Sequence, residues 1–403
     1  MQPDHGGEKL DSDPKVNQST WDAFSEQPYP IRRQFSVLQR LKGSFWSYAK
    51  SALTSLVAFP AIVLVQGALS LGYRPKNWKR RTEDRIDFMG VAVALHSCDS
   101  PRLAREIEAL GVRQILLRFA LWEMDRLEEH WEFVESLPDC EFVLCVMQDR
   151  QHILDHELWY KNLNTIVQRF WPRIKDYQIG QGINRSKWGV FSSDEFLAFA
   201  SVAEDLRVDY PEIHLVGPCI LDFEPIPFIR SLLNGYKIYW DIVGCALYVD
   251  RRGCPRNRQL LVFDFTQKIY HFVACVLCSN RANHRFWITE VNWPLENQSP
   301  YAPTGEKECV SEDDAGTYLK RYYEDAWESG LVERVYWWQL VSKGFGLIDV
   351  ADDGSLRYRP AYYEFKKMLA GNLRDPAQLV EKKKWLDGRE YLFGLWAIRN
   401  RQE

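Results

Sequence analysis

The sequence lacks the features that announce most activities. It has no P-loop, no glycine-rich dinucleotide turn and no Gly-x-Ser-x-Gly elbow, so the cradles of nucleotide and serine-hydrolase chemistry are missing. There is no HExxH pair. His152 and His156 stand at i, i+4 spacing, but nothing beside them completes a metal site, and neither metal nor cofactor is expected. Charge of one sign is not in excess: 51 basic against 55 acidic residues leave −4, so no global field attracts nucleic acid. A disulfide framework is absent too, since nine cysteines is an odd count and Cys275 and Cys278 form a lone C-x-x-C. Most of the nine sit in apolar runs, where thiols behave as small hydrophobes, and they lean toward a reducing compartment. No repeat of solenoid period occurs. A single stretch approaches spanning length, which excludes a polytopic membrane protein.

What is present is apolar and aromatic. Of 403 residues 46 % are hydrophobic, with 16 Trp, 19 Tyr and 21 Phe, enough for a sizeable core. Residues 1–31 read as a flexible polar tail. Residues 32–85 form a basic and apolar segment: Arg32, Arg33, Arg40, Lys42 and Lys50 lead into an uncharged run over 52–72, and Arg74, Lys76, Lys79, Arg80 and Arg81 follow. That run can span a bilayer, lie in its interface, or pack as a helix on the main domain, and membrane association is favoured. The cytoplasmic face is the expected side. Basic residues flank both ends almost equally, so they set no orientation.

From residue 86 to 371 short β-rich runs alternate with helical ones. Strands are expected at Met89–Leu95, Arg113–Leu121, Phe142–Gln148, Asp176–Gln181, His214–Cys219, Ile242–Tyr248, Phe286–Asn292 and Val335–Leu340. Eight strands and eight helices in strict alternation predict a (β/α)8 TIM barrel, an α/β fold. Residues 372–403 form a charged C-terminal extension.

In such a barrel, function belongs at the C-terminal strand ends. Those ends carry Arg118 and Trp122, Gln148 and Asp149, Gln181 and Asn184, Asp222 and Glu224, Tyr248, Glu290 and Asn292, and Trp337 and Trp338. Aromatic faces beside carboxylates and amides suit a sugar ring, which is apolar on its faces and hydroxylated at its rim.

These residues carry a resemblance. Trp287-Ile-Thr-Glu290-Val-Asn-Trp-Pro294 resembles the seventh-strand motif of the clan A glycoside hydrolases, retaining barrel enzymes in which that Glu is the nucleophile. Leu117-Arg118 followed by Trp122 is similar to the second-strand motif, whose Arg hydrogen-bonds the nucleophile. Tyr336-Trp-Trp-Gln-Leu340 resembles the eighth-strand segment, whose Trp forms the sugar platform, and Tyr248 falls where the sixth-strand Tyr often lies. The resemblance implies Glu290 as the attacking group, with Arg118, Trp122, Gln181, Asn184, Tyr248, Asn292, Trp337 and Trp338 binding substrate.

The fourth strand departs from the pattern. Where the family reads Ile-Gly-Asn-Glu-x-Asn, this chain has Ile179-Gly-Gln181-Gly182-Ile-Asn184. Gly182 takes the place of the general acid, or, with a slip of one residue, Gln181 does. Neither side chain can protonate a leaving oxygen. Three explanations stand: an activated donor, a replacement acid among Asp149, Asp222 and Glu224, or lost catalysis. The expected activity is a retaining glycosidase or transglycosidase on an envelope or lipid-linked glycan. The alternative is an inactive barrel that binds glycan or protein at a membrane.

Overall fold

The computed structural model describes Leu38 and residues 44–372, apart from 76, 77, 79–83, 97, 299, 300, 302–305 and 352. The expected tail over 1–31 and the extension past 372 lie outside the described residues. So do Arg32, Arg33, Arg40, Lys42, Lys76, Lys79, Arg80 and Arg81.

Helix α1 (Ser44–Ser70) is followed by a single turn at Arg85–Phe88 and then by eight strand–helix units. The first four are β1 (Met89–Val93) and α2 (Ser100–Leu110), β2 (Gln114–Ala120) and α3 (Leu127–Glu135), β3 (Glu141–Met147) and α4 (His156–Phe170), and β4 (Asp176–Ile179) and α5 (Ser193–Val202). The second four are β5 (His214–Leu221) and α6 (Pro225–Leu232), β6 (Ile242–Ala246) and α7 (Phe265–Leu277), β7 (Phe286–Val291) and α8 (Glu312–Ser329), and β8 (Arg334–Trp338) and α9 (Pro360–Lys367). A two-stranded antiparallel sheet, β9 (Ile348–Val350) with β10 (Leu356–Tyr358), lies between β8 and α9. The eight strands pair in parallel in chain order, and β1 closes on β8 through Met89↔Val335 to Ala92↔Trp338. The chain is a closed (β/α)8 barrel.

The strands form because their residues are apolar on both faces, as a parallel barrel between a packed interior and a helix layer requires. In β2, Leu116, Arg118 and Ala120 face the interior, while Leu117 and Phe119 face the helices. Ala92, Val143, Cys145, Met147, Val216, Ile242, Trp287 and Tyr336 fill the barrel with them. Gly90 is needed where the Tyr336 ring crosses β1, since a Cβ there would lie 2.5 Å from Cδ1. Helix starts are capped by Asp99, Ser192, Asp264 and Ser311, whose side chains accept from backbone N–H groups of the first turn.

Each strand differs from expectation by one or two residues at an end, and two of these differences bear on the mouth of the barrel. β4 ends at Ile179, because Gly180 takes φ +82° and turns the chain across the mouth. β6 ends at Ala246, so Tyr248 sits on a loop. α7 begins at Phe265, after Leu260 and Leu261 take left-handed φ of 50° and 64°.

Of the three readings of the apolar run, the structure shows the helix docked on the barrel. Ala58, Ile62, Val65 and Leu69 share the inward face of α1, at the spacing of an amphipathic helix, and join the core. Asp194 N donates to Ser47 Oγ (3.1 Å), Lys50 pairs with Asp194 Oδ2 (3.3 Å), and Gln66 Oε1 lies 2.9 Å from His271 Nδ1. These contacts tie both ends of α1 to α5 and α7. The outward face is apolar: Phe45, Trp46, Leu53, Leu56, Val57, Phe59 and Leu64 are exposed. By length and composition α1 is also apolar enough to cross a membrane.

Candidate active site

Glu290 stands at the end of β7, where the pairing with β8 shifts register between Ile288 and Val291. It is 6 % exposed, and a carboxylate so buried requires partners. Three donors supply them. Arg118 Nη2 and Gln181 Nε2 (2.6 Å) donate to Oε2, and the Tyr248 hydroxyl donates to Oε1. Burial pushes the Tyr248 phenol well above its usual range, and the Glu290 charge adds to the effect, so the hydroxyl keeps its proton. Arg118 lies flat on the Trp338 indole, its guanidinium 3.3 Å from the ring centroid. Arg252 stacks on Tyr248 in the same way, at 3.1 Å.

Gln181 is bound on every side. Its Oε1 accepts from Gln178 Nε2 (2.8 Å) and from the Cys219 thiol (3.0 Å), which orients the amide nitrogen toward Glu290. The Gln148 side chain clamps the Gln181 backbone, accepting from its N–H and donating to its carbonyl, each at 2.9 Å. Gln148 also donates to the Trp188 carbonyl (2.9 Å) and so ties the β4 loop to β3. Gln181 therefore holds Glu290 through one N–H of its amide.

Gly182 has φ +56°, where only glycine is unstrained. A Cβ there would lie 2.7 Å from Trp188 Cδ1 and Nε1 and 2.8 Å from Leu221 Cδ1. The space into which a side chain at position 182 would extend is filled by an indole.

A cavity of about 190 Å³ opens beside Glu290, lined by Arg118, Arg185, Lys187, Trp188, Leu221, Asp222, Tyr248, Arg252, Asn292, Trp338 and Phe345. Burial lowers the Lys187 ammonium to about 8. His96 is lowered to about 3 by burial and by the Arg118 charge, so its imidazole stays neutral. A second, larger cavity of about 550 Å³ lies between the start of α1 and the loops after β4 and β5. Phe45, Tyr48, Ile183, Val190, Ile226 and Pro227 are among its lining residues.

The strand-end residues divide. Arg118, Gln181, Tyr248, Glu290, Asn292 and Trp338 converge on one site, and Trp122 packs against the barrel interior below it. Trp337 does not converge: alternation along β8 turns it outward, where it stacks on Trp293 at 5.9 Å. Asn184 is bonded to Leu221 and to Glu224 Oε2 (2.8 Å), away from Glu290. Of the three replacement acids, Asp149 caps the turn Arg150–Leu154 and faces His152 Nδ1 at 2.7 Å. Glu224 pairs with Arg185 and lines the larger cavity. Asp222 alone of the three lines the Glu290 cavity, and Arg185 (2.7 Å) and Arg252 (3.4 Å) engage it. Lys187, Trp188 and Arg252 were not expected, because they lie on loops without periodicity and only the turns carry them to the mouth. Among the described residues no group of three or more His, Cys, Asp or Glu is placed to hold a metal.

No family model matches the chain, and no curated protein matches its sequence. Solved structures similar to it are found. Gas2p of Saccharomyces cerevisiae, in complex with laminaritetraose and laminaripentaose, is 12 % identical with a TM-score of 0.46, over 71 % of this chain and 63 % of that one. An endo-β-1,3-glucanase of family GH128 from Amycolatopsis mediterranei is 14 % identical with a TM-score of 0.44, over 70 % and 99 %. A family 51 α-L-arabinofuranosidase from Bifidobacterium longum is 12 % identical with a TM-score of 0.48, over 71 % and 73 %. This chain spans about two thirds of the length of the Gas2p structures.

Proposed function

We propose that the protein is a retaining glycosidase or transglycosidase acting on an envelope or lipid-linked glycan, with Glu290 as nucleophile. One observation carries the reading: a carboxylate at the mouth of the barrel, gripped by an arginine, a tyrosine and an amide, beside a polar cavity. Glu290 attacks the anomeric carbon and forms a glycosyl ester, which water or an acceptor hydroxyl then displaces. Arg118 and Gln181 fix Oε2, so attack comes from the oxygen held by Tyr248. Trp338 and Asn292 meet the sugar, and the Tyr248 oxygen accepts from its hydroxyls. Such enzymes pair the nucleophile with an acid about 5–5.5 Å away. Trp188 fills that place here, so glycosides with poor leaving groups lose about 10²–10⁴-fold in rate.

The same indole supports a second reading, a barrel that binds glycan or protein without turnover. Activated 2-fluoro glycosides separate the two, because their leaving groups depart unprotonated. A covalent adduct seen by intact mass in the wild type and lost in Glu290→Gln supports the enzyme. Glycan binding without adduct, kept in Glu290→Ala, supports the binder and defeats the first reading.

Residues 86–371 would be the catalytic unit and 32–85 its membrane-associating segment, with 1–31 and 372–403 as flanking tail and extension. With one face docked and the other apolar, α1 would lie in the plane of the bilayer. The nine free thiols suit the cytoplasmic face.

A further inference from the structure

Two buried hydrogen-bond donors at the mouth of the barrel lack an acceptor among the described residues. Arg185, Lys187, Trp188 and Arg252 line the cavity that contains Glu290. Trp188 Nε1 and Arg252 Nη1 are buried and make no hydrogen bond among the described residues. A buried donor left unbonded costs about 1–3 kcal/mol, so two of them in one cavity wall mark where a ligand's acceptors belong. The cavity's other carboxylate, Asp222, is already engaged by Arg185 and Arg252.

The position of Trp188 defines the acceptor. Its Nε1 lies 2.7 Å from where a Cβ on Gly182 would begin, the place a general acid would occupy. An indole N–H donates a hydrogen bond but keeps its proton. It suits an oxygen that leaves as an anion rather than one that must leave as an alcohol. Phosphate is such a leaving group, and three cationic side chains stand around this one.

We propose that the glycosyl donor is a sugar esterified through its anomeric oxygen to phosphate or diphosphate, its phosphate oxygens received by Trp188 Nε1, Lys187, Arg252 and Arg185. The inference rests on Glu290 as nucleophile. Glu290 forms its bond to the anomeric carbon as the bond from that carbon to the phosphate oxygen breaks. The electron pair departs on the phosphate, which needs no proton. An acceptor hydroxyl then attacks the same carbon and returns the Glu290 carboxylate, and the acceptor's proton passes to the phosphate, whose second pKa is about 6. Burial lowers Lys187 to about 8, and a bound phosphate raises it again. What esterifies the far side of the phosphate is either a water-soluble group or a lipid. A lipid chain has a seat in the apolar cavity beneath Phe45 and Tyr48, which is linked to the donor site through the Asn184–Glu224–Arg185 contacts.

The test begins with inorganic pyrophosphate titrated calorimetrically into the full chain, with sulfate as control. Saturable binding is expected, weakened about tenfold or more in Lys187→Ala, Arg252→Ala and Trp188→Phe, and kept in Glu290→Gln. Trp188→Phe removes little but the N–H and serves if the alanine variants do not fold. Absence of binding, or binding that folded variants leave within twofold, overturns the proposal. The second arm chases the 2-fluoroglycosyl adduct with inorganic phosphate. Release of a 2-fluoroglycosyl phosphate supports the proposal. An adduct no more sensitive to phosphate than to sulfate overturns it while Glu290 stands as nucleophile. Pyrophosphate binding with no adduct overturns Glu290, and the donor with it, and leaves an anion site. Finally, geranylgeranyl diphosphate binding more tightly than uridine diphosphate identifies a lipid donor, and equal binding a soluble one.

Discussion

Adding one methyl group at Gly182 tests the account of the β4 loop. In Gly182→Ala the backbone must hold an alanine at φ +56°, which costs about 1–2 kcal/mol for an L-residue. The new Cβ also meets Trp188 and Leu221 at 2.7–2.8 Å, well inside van der Waals contact. Trp188 is 3 % exposed, and its carbonyl is held by Gln148, so the loop cannot simply swing aside. Overpacking of this kind costs about 1–3 kcal/mol. Together the two effects predict a loss of about 2–5 kcal/mol, or a fall in Tm on the order of 4–10 °C. Calorimetric melting measures it. In the double variant with Trp188→Ala the clash with the indole disappears while the Leu221 contact and the backbone strain remain, a coupling of about 0.5–3 kcal/mol. Gly182→Glu is expected to be destabilised at least as much and to gain no hydrolysis of poor leaving groups. A Gly182→Ala protein that melts within 2 °C of wild type refutes the reasoning. So does a Gly182→Glu protein that becomes an efficient hydrolase.

Other expectations follow from the same contacts. Arg118→Leu removes the cation from a buried pair and strands the Glu290 carboxylate; urea unfolding is expected to show a loss of about 3–5 kcal/mol. Burial lowers His96 to about 3 and His130 and His271 to about 4, so near pH 5 the unfolded chain binds close to three protons that the folded chain does not. This contribution is complete above the unfolded value of 6.5 and is lost as pH falls toward 4. The slope is about 4 kcal/mol per pH unit, and denaturant melts at pH 6.5, 5.5 and 4.5 would expose a flatter profile if the burial is wrong. Lys187 is expected to be half-acylated by an amine reagent near pH 8, two units below an exposed lysine. A midpoint above 10 contradicts its burial. Leu56→Glu with Leu64→Glu alters exposed positions of α1 and is expected to abolish flotation with vesicles at unchanged Tm. Unchanged flotation places the membrane contact elsewhere.

How much of this was legible in the chain follows from which signals are local. The eight strands were readable because a parallel barrel buries both faces of each strand, and continuous apolar runs such as Phe142–Met147 admit few other readings. Their order was readable because strand and helix alternate from β1 to β8. The seventh-strand Glu290 and second-strand Arg118 stand at strand ends, where fold class alone places function, and so they could be paired on paper. What alternation cannot supply is the direction of each side chain where a strand stops being regular. Trp337 and Trp338 were indistinguishable as neighbours, and the pleat of β8 sent one to the helix layer and the other to the mouth. Gln181 read as a hydroxyl binder until the fold set Gln178 and Cys219 behind it and turned its amide onto Glu290. By itself the sequence determined the barrel, its strand order and the absence of an acid at Gly182. These depend on composition and spacing along the chain. Only the tertiary structure decided what stands beside Gly182 and Glu290, because Trp188, Lys187 and Arg252 reach the cavity through loop turns whose course is set by packing between elements distant in sequence.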